Sequence, residues 1–140
     1  SELFPFIENT YPASPVRLCY GKSRGGLLVM YSLLYKPDLF QARFCFSPAF
    51  WRDDNMIVSK AADFLSAKDT LHTFLYMSMG EKEVDKMKNG FDSMTGVFKE
   101  KASNGLVWYS EYTANADHQD NAQISATMGI GRWSEYLKAK

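Results

Sequence analysis

Hydrophobic and polar positions along the chain fall into blocks of changing period, and each change marks an element. Leu3, Phe4, Ile7 and Tyr11 recur at helical spacing, with Pro5 tolerable in a first turn, and Pro12 and Pro15 end that segment. Val16 to Tyr20 reads as a short strand, Gly21-Lys22-Ser23-Arg24-Gly25-Gly26 as a turn, and Leu27 to Tyr35 as a strongly apolar helix closed by Lys36-Pro37-Asp38. A second strand covers Ala42 to Phe46. The loop Ser47 to Asp54 follows, then a helix from Ile57 to Leu65 and a third strand from Thr73 to Met79 that stops at Gly80. Asp85 to Lys101 predicts an amphipathic helix, because Met87, Phe91, Met94 and Phe98 fall on one stripe at steps of 4, 3 and 4. Leu106 to Tyr112 predicts a fourth strand and Thr113 to Asn121 a polar loop. Ile124, Met128 and Trp133 to Leu137 predict a last helix, weakened by Gly129 and Gly131.

A helix followed by four strand–helix units predicts an α/β fold, a mainly parallel sheet wrapped by helices. No repeat and no linker divides residues 1–140, so they read as one domain. Composition agrees: 46% of residues are hydrophobic and 23% charged, which excludes a disordered segment. Sixteen basic residues balance sixteen acidic ones, without the basic excess of a nucleic-acid binder. No apolar run approaches the roughly 20 residues that span a bilayer. The first residues have neither a basic region nor an uninterrupted apolar stretch, so they do not read as a signal peptide. The compartment stays open. Cys19 and Cys45 lie in separate apolar runs without Cys-x-x-Cys spacing and read as buried free thiols rather than metal ligands.

In parallel sheets the working loops lie at the carboxyl ends of the strands. The first such end reads Gly21-Lys22-Ser23-Arg24-Gly25, a G-x-S-x-G between a strand and a helix. That is the context of a nucleophile elbow, in which a sharp turn projects Ser23 above the sheet and small residues two before and two after it avoid backbone clashes. The Arg24 backbone N–H, at the helix start, is placed to donate to an oxyanion. At the third strand end Glu83, Glu81 and Asp85 are candidate acids, in that order. Each alone also fits an ordinary helix-start carboxylate. The fourth strand end carries His118. The other histidine, His72, precedes the third strand and lies at the opposite end of the sheet as a surface residue. The chain order serine, acid, histidine is that of α/β-hydrolases.

These residues resemble the esterase branch of the α/β-hydrolases that includes the enterobactin (siderophore) esterases and similar carboxylesterases. Arg17 to Leu27 matches its elbow, Lys36 to Phe40 the end of the following helix and Phe46 to Trp51 the next strand end. Tyr76 to Glu83 resembles its acid region and Asp117-His118 its histidine loop. The resemblance implies a three-layer sandwich of which this chain is the carboxyl-terminal half. It also implies Ser23 as nucleophile, His118 as base, Glu83 as acid and Trp51 beside the acyl or leaving-group pocket. Three departures stand out. Lys22 occupies a position where histidine is usual. Gln119-Asp120-Asn121 replaces a small serine-containing loop. The strands that would precede the elbow, with a second oxyanion donor, are missing. One donor fewer corresponds to about 10²–10³ in rate.

The expected chemistry is ester hydrolysis through an acyl-enzyme on a small-molecule substrate, with no cofactor or metal. Lys22, Arg24 and Arg52 make a basic mouth, and Trp51 and Phe50 add aromatic surface. Such a mouth suits an anionic aromatic ester such as a siderophore lactone. A non-catalytic binding domain that keeps the elbow shape, and acyl transfer to an acceptor other than water, are the alternative readings. Oligomeric state is not legible.

Overall fold

A computed structural model describes residues 2–140. Four strands, β1 (Leu18–Lys22), β2 (Ala42–Phe46), β3 (Phe74–Gly80) and β4 (Val107–Thr113), form one sheet in the order β1-β2-β3-β4, every neighbour parallel. The helices are α1 (Leu3–Thr10), α2 (Arg24–Tyr35), α3 (Arg52–Ser66), α4 (Asp85–Lys101) and α5 (Asn121–Lys138), with a 3-10 turn at Pro37–Leu39. Parallel strands need crossover connections, and α2, α3 and α4 supply them on one face. Their apolar stripes, including Met30, Leu33, Ile57, Phe91, Met94 and Phe98, pack on Cys45, Leu75, Met77 and Met79. On the other face α5 covers Phe44, Phe46, Phe74 and Tyr76, chiefly through Trp133. The result is the expected three-layer sandwich. β2 and β3 are buried along their whole length, as strands covered on both faces must be.

The elements match the sequence reading, with shifts that have local causes. β1 begins and ends two residues later than the predicted Val16–Tyr20, because Gly21 and Lys22 continue the ladder opposite Cys45 and Phe46. α2 starts directly after Ser23 rather than at Leu27. A first turn of α3 opens at Arg52, inside the expected loop Ser47 to Asp54. Asp53, Asp54 and Asn55 keep positive φ values of 50°, 51° and 60° there, so the regular helix begins beyond them. α5 runs unbroken through Gly129. That glycine lets the helix lie directly on the sheet, where an added Cβ would come within 2.8 Å of the Tyr76 ring.

One buried residue contradicts its apolar strand. Arg43 of β2 is fully buried. Its guanidinium donates to the carbonyls of Ser32, Lys36, Pro37 and Phe40 and to the hydroxyls of Ser32 and Thr73. It therefore caps the carboxyl end of α2, where the helix leaves carbonyls unpaired and favours positive charge. Burial lowers its pKa to about 10, which leaves it charged at neutral pH.

Candidate active site

The carboxyl ends of β1, β3 and β4 bring Ser23, Glu83 and His118 to one edge of the sheet. Ser23 has φ 55° and ψ −115°, a conformation that costs energy for any residue with a Cβ. The surroundings hold it there. Its N–H donates to the Phe46 carbonyl at 3.0 Å, and its carbonyl accepts from Ala49 N–H at 3.0 Å and Leu27 N–H at 3.1 Å. The glycine requirement is the one expected from the motif at Gly21 but not at Gly25. A Cβ on Gly21 would lie 2.3 Å from the Gly25 carbonyl carbon, and one on Gly26 3.0 Å from Pro48, but Gly25 meets nothing within 4 Å. The close approaches are therefore at Gly21 and Gly26, and Gly25 is not constrained in this way. Arg24 opens α2, so its N–H is one of the helix-start donors that lack an intrahelical acceptor.

One of the three candidate acids contacts His118. The Glu83 side chain is fully buried, and its Oε2 lies 2.9 Å from His118 Nδ1. The other carboxylate oxygen accepts from the Gly80 N–H at 3.0 Å and from the Ser47 hydroxyl. Glu81 instead accepts from the Asn115 N–H at 3.1 Å, and Asp85 pairs with Lys88 at 3.3 Å on the surface. Two donors therefore converge on Oε1, while Oε2 faces the imidazole. His118 thus meets Glu83 through Nδ1, and its other ring nitrogen, Nε2, is on the side of the ring away from that contact.

The acid and histidine loops are laced together by backbone. Lys82 N–H donates to Ala116 O at 2.9 Å and Glu81 N–H to Thr113 O at 3.1 Å. A Cβ on Gly80 would strike the Ala116 carbonyl oxygen at 2.5 Å, so this crossing demands glycine. Around His118, Asp117 Oδ1 accepts from Gln119 N–H at 2.7 Å and Asp120 N–H at 3.3 Å, while Asp120 Oδ1 accepts from Asp117 N–H at 2.8 Å. The backbone donors, Gln119 first, hold the Asp117 carboxyl below its ordinary pKa. Gln119-Asp120-Asn121 thus closes a tight turn that fixes the histidine.

Lys22 donates from Nζ to the Gln119 carbonyl at 3.3 Å, tying the elbow strand to the histidine loop. The loop carrying Trp51 reaches the elbow through the Ala49–Ser23 bond. Lys86 Nζ lies 4.1 Å and the Arg52 guanidinium 5.4 Å from the Trp51 ring centroid, a cation–aromatic stack. Among the described residues no hydrogen bond joins Ser23 Oγ to His118. Such bonds commonly tighten only when substrate binds. A cavity of about 470 Å³ runs between β1 and α5 as far as Lys22, lined also by Tyr20, Phe44, Phe46 and Ile130 among others.

Sequence reasoning missed Ser47 and Asn121, both buried, the first bonded to Glu83 and the second to Ser47. A serine at a strand end and an asparagine at a helix start are common surface residues, so only their burial together marks them. His72 is exposed at the far end of the sheet, as expected.

The family model described as Putative esterase matches residues 1–135. A curated relative, the siderophore enterobactin esterase of Emericella nidulans, is 31% identical over 67 residues, which make up 46% of this chain and 22% of the relative. An IroE-like serine hydrolase of Shewanella oneidensis superposes with a TM-score of 0.83 at 21% identity, over 91% of this chain and 43% of that one. A siderophore hydrolase of Aspergillus nidulans superposes at 0.72 with 20% identity, over 92% of this chain and 52% of its own. The enterobactin esterase of Shigella flexneri also gives 0.72, at 16% identity, over 97% of this chain and 37% of its own. The chain therefore spans about half or less of each of these proteins.

Proposed function

The chain belongs to this esterase family, and on that premise we propose that it carries the acyl-transfer centre of a serine esterase. Ser23 attacks the ester carbonyl while His118 Nε2 accepts its proton. Glu83 orients the imidazole and stabilises the imidazolium that forms. The Arg24 N–H donates to the oxyanion, and His118 then protonates the leaving alcohol. Water reverses the sequence and frees the acid. The observation that carries this reading is the buried Glu83 bonded at 2.9 Å to the His118 nitrogen facing it, which leaves the other nitrogen as a base.

A fluorophosphonate probe tests it. One adduct by intact mass, absent in both Ser23→Ala and His118→Ala, is the expected result. No adduct on the folded full-length gene product would mean a non-catalytic binding domain. Product analysis in the presence of alcohols or amines separates hydrolysis from acyl transfer to another acceptor.

For substrate, we propose an anionic aromatic ester of the siderophore kind. The relatives' names point that way, and so does the chemistry around the site. Lys22, Arg24, Arg52 and Lys86 supply positive charge, and Trp51 supplies a stacking face. A kcat/KM that does not favour anionic over neutral aryl esters would sink the substrate assignment and leave the esterase reading standing.

A further inference from the structure

We infer that Ser47 and Asn121 are positioning residues for the triad, forming a one-directional chain of hydrogen bonds that aims Glu83 at His118. This rests on the esterase reading above. The protons can be assigned one by one. The Ser125 hydroxyl donates to the Asn121 backbone carbonyl at 2.7 Å, so across the 2.8 Å contact between Ser78 and Ser125 the donor is Ser78. The Asn121 amide nitrogen has two protons and spends them on Ser78 Oγ at 3.2 Å and Ser47 Oγ at 2.8 Å. Ser47 already accepts from Asn121, so its single proton points to Glu83 Oε1. The chain ends on Glu83 Oε1, which accepts.

The opposite amide orientation fails. Asn121 Oδ1 would then face Ser47, whose one proton cannot serve both that oxygen and Glu83. In the observed orientation Oδ1 is buried without a partner among the described residues. The fold leaves that oxygen unmatched and keeps the donor directed at Ser47. Ser47, Ser78, Asn121 and Ser125 are all fully buried, so water cannot substitute for any of these bonds. The members come from β2's end, β3 and α5, so the chain also ties three elements at the point where the acid sits. Ser47 itself has φ 46°, held by its N–H donating to Ser78 O at 2.8 Å, which aims the hydroxyl inward.

The test compares Ser47→Ala, Ser47→Gly and Asn121→Ala in the full-length gene product, in the wild-type and the Glu83→Ala backgrounds. Glycine relaxes the positive φ, so Ser47→Gly removes the hydroxyl without adding strain. The expected result is a fall in kcat of about 10-fold with KM little changed, and no further fall once Glu83 is absent. The far-downfield proton resonance of His118 Nδ1 should shift or broaden in each variant. Unchanged kcat, or an equal loss in the Glu83→Ala background, would overturn the inference, because the residues would then act on folding alone. Activity that survives Ser23→Ala overturns the esterase reading instead. The proton resonance needs no turnover, so the two failures remain distinct.

Discussion

Burial controls the chemistry of single residues here, and the two cysteines show it without any active-site argument. Cys45 is fully buried, and burial pushes its thiol far above the ordinary range. Cys19, half-buried, is raised by the same cause, with Arg43 opposing it. Only the thiolate reacts, and a raised pKa lowers its fraction at any given pH. At about pH 8 a thiol-reactive disulfide reagent should therefore label the native protein much more slowly than an unfolded chain. Both thiols should react at once in denaturant, and labelling of native protein should accelerate as pH rises. Rapid labelling of two thiols in native protein would contradict the burial. The same scale explains why local sequence could rank Glu83, Glu81 and Asp85, and the resemblance could favour Glu83, without showing which of them touches the histidine. All three are carboxylates near a helix start, and only Glu83 is turned inward to meet His118.

At the scale of elements, the elbow is a crossing of β1 and α2, and its glycines are unequal. Gly21→Ala would drive a Cβ to 2.3 Å from backbone that cannot move away. It should cost at least about 3 kcal/mol, or prevent folding. Gly25→Ala meets open space in the first turn of α2 and should raise stability by about 0.5 kcal/mol through lower unfolded-chain entropy. Urea denaturation of the two variants checks both signs, and equal destabilisation would mean that the motif rather than the close approach sets the requirement. The shift of β1 has the same origin. A glycine in sequence reads as the end of a strand, yet here it lets the strand run on beneath the helix.

For the whole molecule, Arg43 joins β2 to the end of α2 and the turn that follows. Arg43→Met keeps the bulk but takes one donor from each of the carbonyls of Ser32, Lys36, Pro37 and Phe40 and from the hydroxyls of Ser32 and Thr73, and leaves the pocket built for a guanidinium empty of charge. It should destabilise the fold by at least about 3 kcal/mol, measured as a lower midpoint in denaturant. A change under about 1 kcal/mol would show that the carbonyls find other partners on relaxation. No periodicity signals this residue, because Ala42 to Phe46 scores as an apolar run with one exception, and the exception reads as solvent-facing.

The sequence by itself determined the order of elements, the parallel sheet and the three strand ends that carry Ser23, the acid and His118. Those features follow from hydrophobic period and turn chemistry, which are local and survive in one dimension. Tertiary structure alone showed that Glu83, ranked first by sequence, is the carboxylate that touches His118, that the contact is through Nδ1, and that Gly26 rather than Gly25 joins Gly21 in the close approach at the elbow. It alone brought Ser47, Ser78, Asn121 and Ser125 into one buried chain. Each of those outcomes depends on atoms far apart in sequence meeting within hydrogen-bonding or van der Waals distance. That meeting is fixed by packing rather than by any pattern along the chain.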